Sequence, residues 1–177
     1  MIILSRLLLL GLCLVLLYGG LDGLTAQEAA ANVLMPRSPI ASIRTIEEAP
    51  GQMLYQSRHS WRDRAGHSWQ VILFKRVKAS QIASVSLRLV GFPDLAKIAH
   101  PQPLLITTKT GKVFTSPDLF AENSPAPNVG QYDLSDVLLK LPTTDRVMLH
   151  IPLIDNESVT LRLPASAVLE WQAIANY

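Results

Sequence analysis

Cysteine is nearly absent from this chain: Cys13 is the only one, and it lies inside a hydrophobic leader. Past that leader there is no thiol, which excludes structural disulfides, cysteine-ligated zinc and a cysteine nucleophile together. Aromatic residues are also few, at 6% of the chain. Neither sign of charge predominates, since 16 Lys and Arg face 14 Asp and Glu for a formal net charge of +2 and a pI near 8.8. The cations are not gathered into a run. A dedicated nucleic-acid binder is therefore not expected.

The motifs of the common chemistries are missing as well. His59, His67, His100 and His150 are scattered and form no H-x-x-x-H or H-E-x-x-H pair, whereas a metal site needs about three or four convergent ligands. No G-x-S-x-G elbow is present, and no G-x-x-x-x-G-K-[ST] or G-x-G-x-x-G phosphate cradle. Thr110-Gly111-Lys112 reads as a turn. Glu47-Glu48 precede Pro50 in an expected loop, and Asp133 and Asp136 lie beside an expected helix start, so solvation and capping account for them. No catalytic residue, metal ligand or cofactor is assigned. A loop-built hydrolase would require Asp118 or Glu122 to meet a histidine in a cleft.

What is present begins with the leader. Met1 to Gly23 carries one cation, Arg6, then an apolar run from Leu7 to Leu17 and a short tail of small residues. That is the layout of a secretory signal, with cleavage expected after Ala26 or Ala31. The apolar stretch also approaches the roughly 20 residues that a spanning helix needs. Residues 1–26 are accordingly read as a signal peptide or N-terminal anchor, and the domain as extracytoplasmic. Cys13 is too deep in the run, and follows Leu12, for lipidation. Residues 27–45, with Pro36 and Pro39, read as a linker, leaving 46–177 as a single domain of a size that folds on its own core.

Period-two alternation of apolar and polar residues dominates that domain. Met53 to Asp63 and His67 to Lys78 alternate around Asp63-Arg64-Ala65-Gly66, a type I turn with Gly66 in the left-handed region. This register places Trp61 opposite Trp69, His59 opposite Val71 and Tyr55 opposite Lys75. A slip of one residue would put the two tryptophans on opposite faces. Ser84 to Gly91 reads as a third strand, with Val85, Leu87 and Leu89 inward. Leu104 to Lys109 with Lys112 to Ser116, and Arg146 to Leu153 with Ser158 to Leu163, read as two more hairpins. Pro152 marks a strand end or sheet edge. Asp94 to His100 and Leu134 to Leu139 suit short helical turns, and Pro117 to Gln131 a long loop. From about Ala165 to Ala175 the spacing turns helical, with Val168, Trp171 and Ala175 on one side and Glu170 and Asn176 away from it. The expected fold is mainly β: a small antiparallel sandwich or partly open barrel of about seven strands with a C-terminal helix.

On the first hairpin, Arg58, Arg62 and Arg76 fall on the face opposite the tryptophans, with Gln56 and Gln70 among them, Arg64 in the turn and Lys75 nearby. Guanidinium forks bind carboxylates and anionic head groups bidentately, so this basic strip is the candidate binding surface. Exposed strands also carry arginine for solubility and edge protection. Ile72 and Phe74 share the face, which leaves open whether the helix covers it.

The strings EEAPGQMLYQS, QVILFKR, SLRLVGFP and HPQPL, in that order, resemble a family of cyanobacterial exported proteins of unknown function. The resemblance implies a protein of the thylakoid lumen or periplasm, and it brings no activity or catalytic residue with it. The expected function is a non-enzymatic exported domain that binds, or helps assemble, a protein complex at a membrane surface. Its partner would be an acidic protein surface or membrane complex. A carrier for a small apolar ligand is the alternative.

Overall fold

The computed structural model describes residues 43–79 and 81–177. The leader and most of the linker lie outside them. Nine antiparallel strands form two sheets. The first sheet has the order β1-β2-β3-β4-β7, from Arg44–Ala49, Gln52–Arg62, Ser68–Lys78, Gln81–Val90 and Val129–Asp133. The second has the order β6-β5-β8-β9, from Val113–Ser116, Leu104–Thr108, Val147–Pro152 and Ser158–Leu163. Helix α1, Ala165–Ala175, ends the domain. The described residues form a two-sheet sandwich and not a closed barrel.

Strand β2 pairs with β3 in the expected register, Trp61 with Trp69, His59 with Val71 and Tyr55 with Lys75. Gly66 takes a φ of 88°, and Gly66 N donates to Asp63 O, which closes the three-residue loop. The hairpins β5–β6 and β8–β9 also stand where the alternation places them. Pro152 is the last residue of β8, so its missing N–H costs no ladder bond. The expected turns at 94–100 and 134–139 are briefer than a helix: Phe92 O accepts from Leu95 and Ala96, and a 3-10 turn covers Leu138–Lys140.

Two strands exceed the expected seven. β1 starts at Arg44, inside the expected linker, and takes in Glu47 and Glu48, which had been read as loop. β7 takes the last residues of the expected 117–131 loop and pairs with β4.

One core fills the sandwich. Val71, Leu73, Leu87 and Leu89 of the first sheet meet Leu104, Ile106, Leu149 and Leu161 of the second, all fully buried. Each such side chain contributes about 1.5–3 kcal/mol relative to exposure. Helix α1 lies on the inward side of β2 and β3. Trp171 is fully buried there with Trp61 edge-on at 6.4 Å, and Trp69 is 1% exposed. Glu170, expected to face away, is instead buried against His59.

Candidate functional site

The register across five strands puts the expected strip on the outward face of the first sheet. One row across this face reads Arg58, Ile72, Arg88 and Gln131. The next reads Arg44, Gln56, Phe74, Ser86 and Asp133, and a third reads Ile46, Leu54, Arg76 and Ser84. Gln70 stands one row beyond Ile72. Arg58, Arg76, Gln56 and Gln70 thus share one face. Arg62 lies at the hairpin end of it, and its guanidinium donates to Gly66 O at 2.6 Å.

Lys75 does not belong to this strip. It points inward, is 3% exposed, and its Nζ donates to Ala175 O, 2.7 Å away. Ile72 and Phe74 are buried, but not by the helix, which lies on the other side of the sheet. With Leu54 they form a second small apolar cluster on the outward face. The guanidinium carbons of Arg76 and Arg88 lie 5.0 and 5.5 Å from the Phe74 ring centroid, and Arg88 is also 5.7 Å from that of Phe120. Such stacking favours a cation by its attraction to the ring face. Arginines roof the apolar cluster.

Arg76 donates to both oxygens of Glu48, at 2.8 and 3.2 Å. Those bonds, and one from Gln52, hold the Glu48 carboxyl below its ordinary range. Among the described residues no carboxylate pairs with Arg88; its Nε and Nη2 share the neutral Gln131 Oε1 at 3.0 and 2.6 Å. Burial, and then repulsion from Arg76, lowers the Arg88 pKa. The face therefore keeps a half-buried cation whose charge is only partly offset. Arg88 was missing from the strip read in the sequence. The signal was available, because placing Val85, Leu87 and Leu89 inward turns Ser84, Ser86 and Arg88 outward.

A second group of polar side chains lies at the other end of the chain's long loop. His100 Nδ1 donates to Asp118 Oδ2 at 2.6 Å, and Asp118 Oδ1 accepts from Phe120 N. This is one of the pairings that a loop-built hydrolase would need. The pair is enclosed: the Asp118 and His100 side chains are 1% and 16% exposed. His100 Nε2, Ser116 Oγ and Tyr132 OH are buried without a hydrogen-bond partner in the protein. Desolvation, and then the Asp118 charge, raises the Tyr132 pKa. His150 is held between Thr107 and Thr160 hydroxyls. Among the described residues no three His, Cys, Asp or Glu side chains are placed to hold a metal ion, and no helix is long and apolar enough to cross a membrane.

Fold and site together define a two-sheet β domain with a C-terminal helix and an arginine-roofed outer face. The chain belongs to the family described as "protein of unknown function (DUF3122)", whose model matches residues 41–174. No curated protein and no solved structure matches it.

Proposed function

We propose that this is an exported, non-enzymatic domain of the thylakoid lumen or periplasm that docks onto an acidic protein surface of a membrane complex. The outward face of its first sheet makes the contact. The observation that carries this reading is the placement of Arg58, Arg76 and Arg88 beside Leu54, Ile72 and Phe74 on one face, with Arg44 at its edge. The apolar cluster is already covered, so the contact falls to the cations packed over it, and charges held in place to meet carboxylates give an interface its orientation. Arginine suits the task because a guanidinium fork grips a carboxylate with two parallel bonds. Export is supported by the signal-like leader, with which a domain free of cysteine is compatible.

Crosslinking in isolated membranes tests it, with wild-type and Arg58→Glu, Arg88→Glu chains compared. A discrete crosslinked species, weakened by salt and lost in the double variant, is the expected result. A chain that stays monomeric and unattached with its arginines intact would overturn the reading. The apolar-carrier alternative is weakened by the core, where Trp69 and Trp171 occupy the space between sheet and helix. One observation favours a hydrolase, the Asp118–His100 contact. It would require an ester or amide substrate to reach a histidine nitrogen that the fold encloses.

A further inference from the structure

The second sheet carries a cationic patch of a different character. The β5–β6 turn and the segment after the 3-10 turn enclose a depression of about 170 Å³, whose lining includes Lys109, Lys112, Lys140 and Asp145. Lys109 also lines a neighbouring depression of about 190 Å³, with Arg146, Met148 and Arg162. Five cations and one carboxylate thus surround the two, a local net charge of +4 in a chain whose whole formal charge is +2. Among the described residues only Lys109 of these is ion-paired, to Asp145 at 3.2 Å, and its side chain remains 64% exposed. Lys112 Nζ lies 4.7 Å from the Phe114 ring centroid. Val113 and Leu139, the chain neighbours of Lys112 and Lys140, are 54% and 64% exposed.

We propose that this patch seats the domain on a bilayer surface bearing anionic headgroups. Lysines suit a fluid array of phosphates, because a flexible stem with a point charge needs no fixed partner geometry. Val113 and Leu139 add what a purely electrostatic patch lacks, apolar side chains beside the cations that enter the headgroup boundary. The patch lies at the end of the second sheet, where Arg162 alone of its cations is contributed by a strand, and does not depend on the arginine face having a partner. A domain held on lipid at this end of the second sheet leaves its arginine face to a partner.

Vesicle sedimentation of the full chain tests this, comparing phosphatidylglycerol-containing vesicles with pure phosphatidylcholine. The leader contributes to both, so the ratio of the two is the readout. Wild type is expected to prefer the anionic vesicles, with the preference vanishing at about 0.5 M salt, where screening acts within about 4 Å. Each of Lys109→Gln, Lys112→Gln and Lys140→Gln should lower the ratio by about fivefold. The pair Val113→Ser, Leu139→Ser should weaken binding to anionic vesicles with the charge unchanged, and Arg58→Ser should leave the ratio nearly as it was. Equal binding to both vesicles, or a preference that survives loss of all three lysines, would overturn the proposal. Displacement by inorganic phosphate at constant ionic strength would also overturn it, in favour of a discrete anion pocket. Because the crosslinking outcome turns on Arg58 and Arg88, either result can fail while the other stands.

Discussion

His59 and Glu170 form the polar joint between the first sheet and helix α1. His59 Nε2 lies 3.1 and 3.2 Å from the two Glu170 oxygens, with the Glu170 side chain 3% exposed. The imidazole in turn stacks on Trp61, centroids 4.8 Å apart and rings 19° from parallel. A carboxylate this enclosed is tolerated only where a donor meets it, so the pair sets the rotation of the helix on the sheet as much as its stability.

Removing the histidine alone is expected to cost more than removing the carboxylate alone. Glu170→Ala leaves His59 half-exposed and able to reach water, whereas His59→Ala strands a buried carboxylate. Urea unfolding should show His59→Ala destabilised by about 2–3 kcal/mol and Glu170→Ala by about 1–2 kcal/mol. The double variant should fall well short of the sum. Strict additivity would show that the pair is not coupled.

Asp63 fastens the β2–β3 turn. Its Oδ1 accepts from His67 N at 2.9 Å and its Oδ2 from Trp69 Nε1 at 3.2 Å. Burial pushes its pKa up, but these bonds and the nearby His67 outweigh it, and the net value lies below the ordinary 3.8. A depressed folded pKa contributes stability that is present above the unfolded value and lost as pH falls through the folded one. The advantage of wild type over Asp63→Asn should therefore be about 1 kcal/mol at neutral pH. It should shrink below pH 3.8. A difference that stays constant through the acid range would rule this out.

Wherever apolar residues alternate, the sequence predicts the strands to within three residues, the largest difference being a third strand that starts at Gln81 and not Ser84. The register of the Trp hairpin follows from alternation plus one turn glycine, and the helix from a change of period after Pro164. The two additional strands lack that signal. β1 is exposed at all six positions and so shows no inward face, and β7 points Gly130 and Tyr132 inward, one of which has no side chain. Glu170 was misplaced because its burial depends on His59, 111 residues earlier, and no helical pattern carries that information. The basic strip was legible as a face. Its roofing of Phe74, and the part of Arg88, required a third strand in register.

Lys75 gives a pH effect at the alkaline end. Its ammonium is buried, caps the helix C-terminus through Ala175 O, and has its pKa lowered from 10.5 by desolvation. Between the folded value and 10.5 the unfolded chain binds more protons, so wild-type stability rises with pH in that window. Relative to Lys75→Met, which does not titrate, wild type should gain stability as pH approaches 10.5, read from thermal unfolding. A flat difference would mean that the ammonium is not desolvated.

Gly91 is required for contact and not for turn geometry. A Cβ there would lie 2.5 Å from Ala96 Cβ and 3.0 Å from two Trp69 ring carbons. Ala96 and Trp69 are both buried, so neither can withdraw cheaply. Gly91→Ala should cost about 1–3 kcal/mol by denaturant unfolding. Adding Ala96→Gly should restore part of it, whereas no rescue would place the strain elsewhere.

Arg88 tests whether the arginine face is kept for stability or for binding. Its charge is half-buried, faces a neutral amide, and is disfavoured by burial and by Arg76. A similarly long apolar side chain can cover Phe74 without that penalty. Arg88→Met should therefore unfold within about 1 kcal/mol of wild type, on either side, because exchanging a poorly compensated cation for packed methylenes is nearly neutral. The same substitution should remove the crosslinked species in membranes. A large loss of stability would make Arg88 a structural roof; unchanged stability with lost docking would identify a cation held in place for a partner's carboxylate.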